Sequence, residues 1–448
     1  MENGFAPSFG MVASFYSALV GNARAERWQP EAVQYVQRLS IGSLIRHAYE
    51  HVPFYREHFS RAGVRPKEIR RADDLWRIPS ITKKELLAAG FTATDERIPR
   101  ERLIVGATSG SSGQRLTLFG TRDETSRLGG YLWSPLVAAG LKPTHRIVTV
   151  GSKHFQFAPP PYRCTWLSRE GTVEEWIRTL RRIEPHAIIG QMERIALIAH
   201  ELLRSGRVLR RRVQRIWTFG WTLTEEVRAV IRDAFGVDPI DAYGTTETIW
   251  VAMQCGKRLG LHIPSHRLVV QCSVPGNPAK PAAPGQVGDL ILTDLARRTM
   301  PIIRYRIGDA GAVVHRSCLC GRAGPEIVNL LGRVMDLFVS EDGRPVGSGE
   351  LRVFRALRLG WLSDCQVIQE TPRRLRLLWV PGPKWSSEAM DRIRSEIKRA
   401  LGPIEILDER FDTLPADASS KPRRFRRDFD VADDVLLRYR PPEMRRST

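Results

Sequence analysis

The chain has 448 residues, 42% hydrophobic and 26% charged, which is globular composition with material for a substantial core and about two or three domains. No run of eighteen apolar residues occurs, which excludes a membrane-spanning helix, and six cysteines in so long a chain exclude a disulfide-built scaffold. The 69 basic residues outnumber 49 acidic ones for a net charge of +20, which favours polyanionic partners such as ATP, coenzyme A, nucleic acid or acidic membrane surfaces.

The N-terminus, "MENGFAPSFGMVASFYSALVG", opens with Glu2 where a secretory leader carries basic residues. No export signal is expected, so a cytoplasmic location and reduced cysteines follow. The first hundred residues place apolar side chains at helical spacing, interrupted by Pro53. Near residue 100, "ERLIVGA" and "RLTLFGT" read as short strands on either side of "TSGSSG". Strands and helices then alternate. "RIVTVG", "AIIG", "RIWTFG" and "PIDAYG" are strands; helices start at Thr172 and Thr224 as N-caps, and "MERIALIAHELLRSG" is a helix closed by Gly206. This alternation predicts an α/β fold with a mainly parallel sheet.

After residue 260 the texture changes. "HRLVVQCSV" and "GQVGDLILTDL" are strands joined by the proline-rich turn "PGNPAKPAAP", predicting an antiparallel or barrel-like subdomain. Beyond residue 334 comes a smaller α+β unit. It holds a hairpin turning at Thr371-Pro372 and the amphipathic helix "SSEAMDRIRSEIKRALG". The expected organisation is a large domain of sheets flanked by helices, residues 1–334, and a small mobile C-terminal domain, residues 335–448. Arginine clusters at 207–215 and 372–376 read as solvated faces; the third, at 421–427, contains Lys421.

Residues 106–113 pack Gly106, Gly110, Gly113, Thr108, Ser109, Ser111 and Ser112 into eight positions. Set between two strands, such a turn gathers N–H groups around an anion, since glycine lets the backbone approach oxyanions closely. It is no Walker loop, because Gln114 stands where lysine is required. "DAYGTTET", 241–248, offers an aromatic face, hydroxyl donors and a carboxylate, suited to a purine, phosphate oxygens and magnesium. In "MPIIRYRIGDAG", 300–311, the Asp309 carboxylate is fit to accept both hydroxyls of a ribose, or to pair with Arg306 at the surface. "LLGRVMD" follows at 330–336.

The order of these motifs, ending with a lysine near 420, resembles the acyl-adenylate-forming superfamily. More closely it resembles the phenylacetate–CoA ligase family, whose N-terminal signature is similar to "YEHVPFYREHF" and "IPSITKKEL". The resemblance runs from about residue 45 to 427. It implies ATP-dependent activation of a carboxylic acid to an acyl-adenylate, followed by transfer to a thiol, usually coenzyme A. By the resemblance, Thr108, Ser109, Gly110, Ser111, Ser112 and Gly113 hold the β- and γ-phosphates of ATP. Tyr243 stacks on adenine within the nucleotide-binding stretch Tyr243, Gly244, Thr245 and Thr246; Thr246 contacts the α-phosphate and Glu247 helps bind magnesium. Asp309 takes the ribose with help from Arg333, after which the chain hinges. Lys421 matches the family's catalytic lysine, and a flexible ammonium between two anions is what adenylation requires.

The chain departs from the pattern at Gln114, at Met335 in the hinge, and in "SSK", which lacks the usual glycine. "SEDGRPVGSGEL" is more similar to the family's capsular polysaccharide biosynthesis branch. These departures leave the acceptor open between coenzyme A, a carrier-protein thiol, an amine and a sugar hydroxyl. A non-catalytic nucleotide or polyanion binder is the reading from another class; nothing interleaves aromatic and basic residues as nucleic-acid binding requires. The acid is expected between 151–157, 188–191 and 218–224, where Phe219 and Trp221 suit an aromatic or apolar acid and His154, Phe155 and Phe157 stand nearby.

Cys255, His262, Cys318 and Cys320 have the ligand types of a closed structural zinc site. The resemblance supports the same set, with His266 as rival to His262. Free buried cysteines are the alternative. Cys164, Cys272 and Cys365 have no comparable partners.

Overall fold

The structure, a computed structural model, describes residues 9–107, 116–156, 158–209, 212–221, 223–257, 260–353, 356, 359–415, 424–430 and 435–439. The phosphate-loop residues 108–115, the Lys421 segment 416–423 and Phe157 lie outside the described residues, as does the side chain of His154.

The N-terminal helices are α1 (Phe9–Ala25), α2 (Pro30–His51), α3 (Pro53–Arg61) and α4 (Lys83–Ala89). Pro53 divides α2 from α3 as expected: it lacks the N–H needed to continue one helix and suits the first turn of the next. Strands β1 (Ile104–Ala107) and β2 (Thr117–Gly120) pair antiparallel, with Ala107 opposite Thr117 at the loop end. Helix α5 (Arg122–Ala138) lies on α1. Gly129 and Gly130 make that approach possible, since a Cβ on Gly130 would stand 2.4 Å from the Phe15 carbonyl oxygen.

The alternating segment then gives β3 (Arg146–Val150), β4 (Arg163–Leu167), α6 (Val173–Ile183), β5 (Ala187–Gln191), α7 (Met192–Arg204), β6 (Arg215–Phe219), α8 (Glu225–Phe235) and β7 (Ile240–Thr245). Thr172 and Thr224 cap their helices as expected, accepting from the Glu175 and Val227 N–H groups. Gly206 follows α7 at φ +66°, a conformation glycine adopts without strain. Alternate residues of these strands bury two cores. Ile188 and Ile216 face α6–α8, whereas Ile189 and Trp217 face α1 and α5.

The remaining strands are β8 (Ile249–Gln254), β9 (Leu261–His262), β10 (Leu268–Val274), β11 (Asn277–Pro281), β12 (Gly288–Asp294), β13 (Ile302–Ser317) and β14 (Ala323–Arg333). Among the described residues, twelve strands form one sheet in the order β11-β10-β12-β13-β14-β9-β8-β7-β6-β5-β3-β4. Its β7-to-β4 half is parallel and the rest antiparallel. The antiparallel strands after 260 thus continue the parallel sheet instead of forming a separate barrel. The proline-rich turn is also more ordered than a turn, for it contains β11 as an edge strand, where prolines cost no ladder bonds.

The parallel half meets the antiparallel one at the β7–β8 pair, and within the antiparallel half the two-residue β9 joins β8 through Met253 and Gln254 and β14 through Glu326 and Ile327. C-terminal to it are β15 (Phe338–Val339), β16 (Pro345–Val346), β17 (Leu362–Thr371), β18 (Arg374–Pro381), α9 (Ser387–Leu401), β19 (Glu405–Arg410) and β20 (Phe425–Arg427). The β17–β18 hairpin turns at Pro372-Arg373, one residue beyond the expected Thr371-Pro372, and the sheet β19-β18-β17-β20 buries its own core against α9 with Val367, Leu377, Ile393 and Ile397. No helix among the described residues is long and apolar enough to cross a membrane.

Candidate active site and metal centre

Strands β7 and β13 stand four places apart in the sheet, about 19 Å if it were flat. Yet the Tyr243 hydroxyl donates to Asp309 Oδ2. The sheet must therefore curl between them, and the curl closes β7 onto β13. Asp309 sits directly opposite Arg333 in the β13–β14 register, and Arg333 Nε lies 3.1 Å from Asp309 Oδ1. Arg333 also donates to the Ile307 carbonyl at 2.6 Å, which fixes its guanidinium. The alternative Asp309–Arg306 pair is not formed; Arg306 reaches Asp289 instead.

Asp309 is 5% exposed, and burial pushes its carboxyl above the usual range while Arg333 opposes that shift. Burial and then the Asp309 charge hold the Tyr243 hydroxyl well above the ordinary tyrosine range. Both oxygens of Asp309 are thus aimed by protein donors, and each retains a lone pair for a ligand hydroxyl. Beside this group, Glu247 occupies the tight turn from β7 into β8. Tyr305 of β13 donates to Glu247 Oε1 at 3.2 Å, and buried Arg297 holds the Glu247 carbonyl at 3.0 Å. Thr248 N–H donates to Thr245 Oγ1 at 3.3 Å and stiffens the same turn.

One charged neighbour was missed by sequence reasoning. Ile81 bridges to Tyr305, with hydrogen bonds to Arg304 and Arg306 on β13. Two residues later Lys83 begins α4, whose N-cap Thr82 forms a capping box with Glu85. This anchoring brings Lys83 to Glu247 and Arg333: burial lowers its pKa, Glu247 raises it and Arg333 lowers it. "SITKKEL" held the residue in view, but only the pairing of residue 81 with 305 reveals its place.

Of the expected acid-pocket residues, Phe155 is buried in an aromatic group with Phe219 and Trp250, ring centroids 5.5–6.1 Å apart. Trp221 faces elsewhere, between the core under α6–α8 and that of the C-terminal unit. A cavity of about 120 Å³ opens near Leu351, Trp361 and Arg392, all within the C-terminal unit and none a site residue.

Cys255, His262, Cys318 and Cys320 converge where β8, β9 and the β13–β14 turn meet, with ligand atoms all within 4.8 Å of one another. The Cys255 and Cys318 sulfurs are 3.6 Å apart, and Cys320 Sγ lies 3.5 Å from His262 Nε2. A tetrahedral zinc with bonds of about 2.3 Å needs sulfur–sulfur separations of about 3.8 Å, so the set fits. His262 Nδ1 stands 3.3 Å from Glu326 Oε1, a buried oxygen with no hydrogen bond of good geometry, and Arg316 holds the other Glu326 oxygen at 2.7 Å. Binding metal through Nε2 places a proton on Nδ1 facing that oxygen. His266 is not in the group; its Nε2 meets Asn22 Oδ1 at 2.5 Å. Cys164, Cys272 and Cys365 also stand outside it.

The curled mixed sheet with a small α+β unit after it is the fold of adenylate-forming CoA ligases. The chain superposes on 2-hydroxyisobutyryl-CoA ligase in its postadenylation state with TM-score 0.72, at 18% identity and over 90% of both chains. Against that enzyme's thioesterification state the TM-score is 0.62, again at 18% identity, over 90% of this chain and 91% of that one. No protein-family model matches the chain. Among curated proteins it is related to phenylacetate–coenzyme A ligases: that of Thermus thermophilus is 27% identical over 324 residues, 69% of this chain and 72% of the relative.

Proposed function

We propose that the protein activates a carboxylic acid with ATP and passes the acyl group to the thiol of coenzyme A. The observation that carries this reading is the buried Tyr243–Asp309–Arg333 group beside Glu247, because it joins a ribose-binding carboxylate to a metal-binding one. The relatedness to phenylacetate–coenzyme A ligases supports it.

In the first step a carboxylate oxygen attacks the α-phosphorus of ATP, the bond to the bridging oxygen breaks, and pyrophosphate leaves. Asp309 accepts the ribose hydroxyls while Tyr243 and Arg333 hold its oxygens in place; the Tyr243 ring stacks on adenine. Residues 108–113 hold the β- and γ-phosphates, Thr246 contacts the α-phosphate, and Lys421 and Lys83 offset the repulsion between the anions. Magnesium, held in part by Glu247, supplies further charge neutralisation when bound. In the second step the thiol attacks the acyl carbon and AMP departs. No side-chain nucleophile is required. Residues 1–334 form the large unit and residues 335–448 the small mobile unit that carries Lys421. The four Cys and His residues hold a structural zinc, and the aromatic group around Phe219 suits an apolar or aryl acid.

Replacing Glu247 by glutamine removes one charge and keeps the shape of the turn. Adenylation is expected to fall at least tenfold at limiting magnesium, the loss of one charge-stabilising group, with an unchanged thermal midpoint. Activity equal to wild type at every magnesium concentration contradicts the metal role. The acceptor is tested by mass spectrometry after incubation with ATP, a panel of acids and coenzyme A. An acyl-CoA product is expected; acyl-adenylate without thioester points to a carrier thiol, an amine or a sugar hydroxyl instead.

A further inference from the structure

The segment from β6 to α8 carries three side chains that reach the C-terminal unit within six positions. Trp221 packs against both cores, and its indole meets Phe425 edge-on with ring centroids 6.3 Å apart and planes at 73°. Thr224 Cγ2 lies 3.0 Å from where a Cβ on Gly349 would stand, so the two residues are in close approach and a larger residue at 349 would crowd Thr224. Glu226 Oε1 is 3.8 Å from Arg352 Nε, and Arg352 reaches Glu396 of α9 at 3.7 Å with its other end. Arg352 holds a left-handed backbone, φ +54°, uncommon for a residue with a Cβ.

These contacts differ in weight. The Arg352 and Glu226 side chains are 44% and 39% exposed, and ion pairs so exposed contribute little. The Trp221–Phe425 contact is apolar, and Phe425 is 3% exposed and fixed in β20, paired with Val367 of β17. Aromatic pairs of this geometry contribute beyond the area they bury. Phe425 also lies four residues after Lys421. A chain that short spans at most about 14 Å, so whatever fixes Phe425 limits where the lysine can go.

We infer that Trp221 is a positioning residue for adenylation: through Phe425 it docks the small unit, to which Lys421 belongs, against the large unit, and it must release that contact when the unit moves for thioester formation. The inference rests on the adenylation reading. It assigns to Trp221 the docking of the small unit, not the binding of the acid.

The test separates the half-reactions for Trp221→Ala and Trp221→Phe. The first is acid-dependent exchange of labelled pyrophosphate into ATP; the second is thioester formation from preformed acyl-adenylate and coenzyme A. Trp221→Ala is expected to slow exchange about tenfold or more, as loss of positioning does, with the KM for ATP unchanged and the thioester step at wild-type rate. Trp221→Phe, which keeps a ring, is expected to restore most of the exchange rate. Equal losses in both half-reactions, a rise in the KM for ATP alone, or no change in exchange would each overturn the inference. Should wild type support no exchange with any acid, the functional reading fails. Small-angle scattering then decides the docking contact by itself: Trp221→Ala should enlarge the radius of gyration of the full chain, and an unchanged radius refutes the contact.

Discussion

Lys421→Ala is expected to lower adenylation by about a hundredfold or more while sparing the thioester step, because a cation between two anions acts where charge develops in the transition state. Two anions meet in the first step, a carboxylate and a triphosphate, and the neighbourhood around Asp309 and Glu247 adds two more carboxylates. Arg333 is engaged by Asp309 and by the Ile307 carbonyl. In the second step a neutral thiol or thiolate meets an acyl carbon, and the lysine has no comparable charge to offset. Assays from acid plus ATP, and separately from preformed acyl-adenylate plus coenzyme A, distinguish the two. Equal losses in both assays argue against a role specific to adenylation. No loss in the first assigns the charge to another residue, Lys83 foremost, because it lies within the field of Glu247.

The second large effect concerns the metal centre. Cys318→Ser removes a buried member of the proposed zinc-binding group, which lies where β8 and β9 meet the β13–β14 turn. Structural zinc contributes directly to folding free energy, on the order of 10 kcal/mol in isolated fingers, so loss of one ligand should release the metal and lower the thermal midpoint by several degrees or more. Protein purified without added metal should carry about one zinc per chain, as closed four-ligand sites retain it. Glu326→Gln keeps the four ligands but weakens the partner of His262, and zinc affinity should drop about tenfold to a hundredfold. Metal-free protein with the wild-type midpoint and full activity refutes the centre.

Local features were legible in the sequence because local chemistry determines them. Thr172 and Thr224 start helices, Pro53 separates two, and the 362–381 hairpin turns where Pro372 sits. The convergence of Cys255, His262, Cys318 and Cys320 was legible from side-chain types together with the family resemblance, with His266 left as a rival to His262. What escaped was set by contacts across long stretches of chain. Lys83 reaches the site only because Ile81 pairs beside Tyr305, and Tyr305 earns its place by bonding Glu247. Glu326 reads as an ordinary strand carboxylate until β14 places it against His262 in β9. The joining of β8 to β14 was also hidden, since the two-residue strand between Gly260 and Ile263 that links them carries no period to read. Trp221 was expected at the acid pocket; the direction of its side chain depends on Phe425 of β20, two hundred residues away, and no local pattern reveals it.

The most direct measurement of the central claim is pyrophosphate exchange in the absence of coenzyme A. Labelled pyrophosphate, ATP, magnesium and the purified full chain are incubated with and without a panel of aromatic and aliphatic carboxylic acids. Formation of an acyl-adenylate is reversible on the enzyme, so the account predicts label in ATP with at least one acid and none without acid. It also predicts that Asp309→Asn and Lys421→Ala each reduce that signal. Binding of ATP with no exchange under any acid would contradict the account and leave a nucleotide-binding protein without adenylating chemistry.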